Sequence, residues 1–131
     1  MRTLKRLLII NDERDFARAV SGTAERLGFT TRILQHTLDL EYVVRHWCPD
    51  CVSVQMEMPS HQDVEVLEFL EQTKYPGSVL LTGSVSVRAL TTAANVARLR
   101  GLRVTSVLEN LSGIAELENA LKQLASLERA A

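Results

Sequence analysis

Short apolar runs and stretches with a helical apolar period alternate five times along this chain, and that alternation restricts its fold more than any other feature. Strands that alternate with helices form a parallel sheet, and its two faces are then covered by the helices. Lys5 to Ile10 reads as a buried strand because Leu7 to Ile10 is continuously apolar rather than alternating. Phe16, Val20, Ala24 and Leu27 then recur near 3.6 residues, with Gly28 where a helix would stop. Phe29 to Leu34 predicts a second, more exposed strand, Leu38 to Trp47 a short helix ended by Pro49, and Cys51 to Val54 the central strand.

The second half repeats the pattern. Ser60-His61-Gln62-Asp63 fits a capping box, followed by Val64, Leu67 and Leu70 as a buried stripe. Pro76-Gly77 marks the turn into a strand over Ser78 to Leu81. Ser86 is placed to cap a helix carrying Leu90, Ala94 and Ala97, closed by Gly101; Arg103 to Leu108 is the fifth strand. Ile114, Leu117, Leu121 and Leu124 give the last amphipathic helix.

At 131 residues the chain makes one domain, expected over 1–125, with 126–131 a tail or the start of a linker to an output domain outside this sequence. A formal charge of -1 gives no bias toward nucleic acid or an anionic membrane. The longest apolar run, Leu7 to Ile10, is too short to span a bilayer or act as a signal segment, so a cytoplasmic protein is expected.

The segments LLIINDE (Leu7 to Glu13), PDCVSVQMEMP (Pro49 to Pro59), VLLTG (Val79 to Gly83) and VTSVLENL (Val104 to Leu111) resemble the strand ends of the receiver domain of bacterial response regulators. This CheY-like resemblance implies a flavodoxin-like, doubly wound sheet of strand order 2-1-3-4-5, with a crevice at the carboxyl ends of the strands. That family's pocket uses two acids after the first strand, a phosphoacceptor aspartate after the third, a Ser or Thr after the fourth and a lysine after the fifth. The corresponding residues here are Asn11 and Asp12, Gln55, Thr82, and Glu109. The family's switch aromatic becomes Ser106, and the proline after its lysine becomes Asn110.

These replacements remove the chemistry. An aspartate carboxylate attacks phosphorus while a metal ion neutralises charge, whereas the Gln55 amide is a far weaker nucleophile and forms no stable acyl phosphate. Magnesium needs hard oxygen ligands, and with Asn11 and Gln55 in place of acids only Asp12 remains of the three. Glu109 would repel a phosphoryl group that lysine would hold. No cofactor is expected. A residual cation site built from Asp12, Glu57 and Glu109 is the rival reading, the plainer one being that Asp12 and Glu13 cap the first helix. Thr82 reads more simply as a strand-end hydroxyl satisfying nearby backbone.

Trp47-Cys48-Pro49-Asp50-Cys51 matches the WCxxC pattern of thiol redox proteins, but Cys48 would close a helix and Cys51 enter a strand, so two ordinary, mostly buried thiols are expected. A zinc site through His46, Cys48 and Cys51 lacks a fourth ligand. His36, His46 and His61 are scattered, and Arg98, Arg100 and Arg103 form a small basic cluster that is a solvated face or a contact for an acidic partner.

The resemblance therefore implies a pseudo-receiver: a non-enzymatic regulatory module acting on a protein partner or covalently linked output domain, or by homodimerisation. The family's usual contact face would use Leu90, Ala94 and Leu121, rimmed by Arg88, Arg98, Lys122 and Gln123. Val87 to Leu111 is also similar to receivers attached to cyclic-di-GMP phosphodiesterase domains. Two alternatives are a phosphoacceptor receiver using Asp50 or Glu57, and a thiol redox protein using Cys48 and Cys51.

Overall fold

The computed structural model describes residues 5–56 and 62–126. Five strands and five helices alternate: β1 (Lys5–Ile10), α1 (Arg14–Arg26), β2 (Phe29–Leu34), α2 (Leu40–Trp47), β3 (Cys51–Gln55), α3 (Gln62–Gln72), β4 (Ser78–Gly83), α4 (Val87–Leu99), β5 (Arg103–Glu109) and α5 (Ile114–Ser126). All strand pairings are parallel, and the sheet order is β2-β1-β3-β4-β5.

Strand side chains point alternately to the two faces, and a strand covered on both sides must be apolar on both. In β1, Leu8 and Ile10 enter one core with Val52, Val54, Val79 and Leu81, beneath Val43 of α2, Val66 and Leu70 of α3, and Ala94 of α4. Leu7 and Ile9 enter the other core with Leu80 and Leu108, beneath Ala17, Val20 and Ala24 of α1 and Leu117, Leu121 and Leu124 of α5. The continuous run Leu7 to Ile10 is thus the mark of a strand with two buried faces; all four residues are fully buried. By contrast β2 lies at the sheet edge and is only partly covered.

The helix punctuation follows local chemistry. Ser86 Oγ accepts a hydrogen bond from the Ala89 N–H at 3.2 Å, giving α4 its expected cap. Gly28 and Gly101, both at positive φ, follow α1 and α4 as the stop signals predicted.

Three expected details change. Leu38 precedes α2 rather than opening it, and is exposed, because the turn joining the Leu40 N–H to the Thr37 carbonyl comes first. The buried stripe of α3 is Asp63, Val66 and Leu70, with Leu67 partly covered; Val64 lies beside that face in solvent. Ile114, at the first turn of α5, is likewise exposed, since the helix meets the sheet only from Leu117 onward. Ser60 of the expected capping box lies outside the described residues. No helix among the described residues is long and apolar enough to cross a membrane.

Candidate functional site

Parallel strands pointing the same way bring residues distant in sequence to one rim. The register pairs Ile10 with Val54 and Gln55 with Thr82, so Asn11, Gln55 and Thr82 follow one another across β1, β3 and β4. Adjacent strands lie about 4.8 Å apart, which makes these three residues neighbours. Gly83 pairs with Glu109, placing Glu109 one strand further along the same rim.

The amides are part of the backbone scaffold. Gln55 Oε1 accepts the Asp12 N–H at 3.1 Å, and Asn11 Oδ1 accepts the Glu13 N–H at 2.9 Å, an Asx turn leading into α1. Glu13 occupies the N-cap position of α1, yet its side chain makes no capping hydrogen bond. Satisfying these loop donors falls to Asn11 and Gln55, which corrects the expectation that Asp12 and Glu13 act as caps. Asp12 itself is exposed.

Asn11 and Thr82 are almost wholly buried, and Gln55 is 7% exposed. Among the described residues, Asn11 Nδ2 and Thr82 Oγ1 have no hydrogen-bond partner, nor does Asn110 Oδ1 on the loop that follows β5. That loop is held to β4 by the Asn110 N–H, which donates to the Gly83 carbonyl at 2.8 Å. The mouth therefore presents a neutral amide row with spare polar capacity rather than a nest of carboxylates. Thr82 does not satisfy backbone with its hydroxyl, contrary to the simpler reading of that residue.

Glu109 takes a role that the sequence did not reveal. Its Oε1 accepts the Val87 N–H at 3.0 Å, at the start of α4 beside the Ser86 cap. The exposed N–H groups and positive dipole end of a helix favour a carboxylate there. Glu109 is thus bonded to α4, and Glu57 lies outside the described residues, so the cation site of Asp12, Glu57 and Glu109 is not assembled among the residues described. No group of three His, Cys, Asp or Glu side chains that could hold a metal occurs among them.

Other candidates fall elsewhere. Asp50 precedes β3 at the opposite, amino end of the sheet, where Oδ2 accepts the Arg6 N–H at 2.8 Å, so it cannot serve the carboxyl-end pocket. Cys51 is buried, and that burial, with nearby Asp50 adding to it, pushes its thiol up to about 12. Cys48 is exposed rather than buried, in left-handed conformation after α2; neither cysteine is in a disulfide. His46 stacks on Tyr42 with ring centroids 4.2 Å apart, His36 is exposed, and His61 lies outside the described residues.

The basic cluster is used internally. Arg98 donates to the Val104 carbonyl, Arg100 pairs with Glu71 and Arg103 donates to the Pro76 carbonyl. Leu90, Ala94 and Leu121 are fully buried and offer nothing to a partner, correcting the expected centre of the contact face. They belong to the inward stripes of α4 and α5; Arg88, Arg98, Lys122 and Gln123 are exposed as expected of a rim.

Solved structures supply the comparison. The receiver domain of a response regulator from Bermanella marisrubri superposes with a TM-score of 0.76 at 18% identity, covering 95% of this chain and 100% of that one. A response regulator from Colwellia psychrerythraea gives 0.76 at 21% identity, covering 94% and 98%. The chain has the receiver fold. A third, from Burkholderia pseudomallei, described as having a phosphorylated aspartic acid, calcium ion and citrate, gives 0.71 at 17% identity, covering 89% of this chain and 66% of that one. No family model matches the sequence, and no curated protein matches it. The flavodoxin-like order expected from the resemblance to receiver domains is the order found.

Proposed function

We propose that this receiver-fold chain is a non-phosphorylatable regulatory module of bacterial two-component or cyclic-di-GMP signalling. It acts through a protein partner, a covalently linked output domain or its own dimer, in the cytoplasm, and is not an enzyme. One observation carries this reading: the Gln55 amide sits in the row of Asn11 and Thr82, where a receiver keeps its acceptor carboxylate, and its oxygen is already bonded to the Asp12 N–H.

An amide oxygen carries no negative charge to attack phosphorus, and its conjugate with a phosphoryl group would not persist in water. Glu109 adds a second obstacle. Where a lysine would meet the transferred group, this carboxylate caps α4 and fixes the end of β5 to that helix. The contact gives the α4–β5 junction a connection that needs no phosphoryl group. Similarity of Val87 to Leu111 to receivers joined to cyclic-di-GMP phosphodiesterase domains supports the narrower setting.

The test is exposure of the chain to acetyl phosphate, and separately to beryllofluoride, each with magnesium, read by intact mass and by amide NMR spectra. The expected outcome is no added phosphoryl mass and no shifts around residues 11, 55, 82 and 109. A stoichiometric phosphoryl adduct would overturn the proposal; mapped to Glu57, it would establish the phosphoacceptor alternative. The redox alternative predicts reversible formation of a Cys48–Cys51 disulfide, which burial and the raised pKa of Cys51 oppose.

A further inference from the structure

A groove of about 570 Å³ lies between α1 and the end of β2, beside the amide row: the carbonyl of Leu34, one of its lining residues, accepts the Asn11 N–H at 2.9 Å. Arg14, Arg18, Gln35 and His36 line it with Asp39 as its one acid, and Ile33 supplies an apolar wall. Its size falls within the few hundred to about 1,000 Å³ common for small-molecule sites.

Two features of these arginines point to an anion. Arg14 and Arg18 stand one helical turn apart, so they share a face of α1, and neither makes a hydrogen bond or ion pair with the other described residues. Arg14 is also the first residue of α1, at the positive end of the helix, where a cation is electrostatically misplaced. An arrangement that is locally unfavourable, with no internal partner to offset it, becomes favourable when an anion arrives. Guanidinium groups match phosphate oxygens with paired N–H donors, and the apolar wall suits the body of an ester.

We propose that this groove binds a small phosphorylated molecule through Arg14 and Arg18. Such a ligand would bind without any group transfer, on side chains other than those of Asn11, Gln55 and Thr82.

Sodium pyrophosphate is the probe, titrated into the isotope-labelled chain at low ionic strength while amide NMR shifts are followed, with sodium chloride of equal ionic strength as control. Saturable shifts confined to residues 14–18 and 33–39 are expected, at a dissociation constant of about 1 mM or tighter. In the Arg14→Ala/Arg18→Ala double variant, whose exposed positions leave the fold intact by circular dichroism, binding weakens about tenfold or more. Absence of saturable shifts, shifts equal to those with chloride, or unchanged affinity in the double variant would overturn the proposal.

Discussion

The two ends of the sheet treat their buried polar groups in opposite ways. At the amino end, Tyr75 Oη donates to the Pro49 carbonyl at 2.8 Å, Asp50 accepts the Arg6 N–H, and Ser78 Oγ donates to the Leu124 carbonyl at 3.3 Å. At the carboxyl end, Asn11 Nδ2, Gln62 Oε1, Thr82 Oγ1 and Asn110 Oδ1 have no partner among the described residues. An unmade hydrogen bond in a buried place is destabilising by about 1–3 kcal/mol, so such groups collect where something other than stability has shaped the residues. One end closes the fold; the other leaves buried polar groups without a partner among the described residues.

That contrast can be broken by substitution. Tyr75 is 6% exposed in the larger core, and Tyr75→Ala at the closed end is expected to destabilise by roughly 3–5 kcal/mol in urea unfolding. A loss under about 1 kcal/mol would mean that the amino end is not what closes the fold.

Cys51 sharpens the comparison through pH. Its thiol rises from the ordinary 9.0 to about 12 on folding, mainly through burial. Above pH 9 the unfolded chain loses this proton while the folded chain keeps it, so stability present below pH 9 is lost as pH rises toward 12. The expected slope from this group is about 1.4 kcal/mol per pH unit, and Cys51→Val should flatten it. Equal slopes for both proteins would remove Cys51 from the account, and iodoacetamide should modify exposed Cys48 first.

Smaller effects are expected at the open end. Glu109→Ala removes the carboxylate from the Val87 N–H and should destabilise by roughly 0.5–1 kcal/mol, with faster amide exchange in the first turn of α4. Unchanged exchange there would show that the contact does not hold the helix. Thr82→Val replaces a hydroxyl that has no partner with a methyl of similar shape, so its stability should stay within about 0.5 kcal/mol of the parent or rise. A loss comparable with that of Tyr75→Ala would erase the difference between the two ends.

Much of the fold was legible because periodicity is a local property. The doubly buried run Leu7 to Ile10, the Ser86 cap and the glycine stops each report their own surroundings. Strand order and the gathering of Asn11, Gln55, Thr82 and Glu109 on one rim followed from the resemblance of the strand-end motifs to those of receiver domains. Which face of a helix turns inward was less legible: Leu90, Ala94 and Leu121 look available in one dimension and are sealed in three. Val64 and Ile114 fit an apolar stripe by residue type, but the approach of the helix to the sheet leaves them outside.

The amino-acid sequence by itself determined the chemical inventory of the pocket, since no folding turns the amides of Asn11 and Gln55 into ionised oxygens. Only the tertiary structure decided what those groups do instead. A side chain's partner is set by which backbone donors folding brings within about 3 Å, and these come from distant segments. Thus Gln55 meets Asp12, Glu109 turns to Val87 rather than to the mouth, and Arg14 and Arg18 line a groove without an ion pair to its one acid, Asp39.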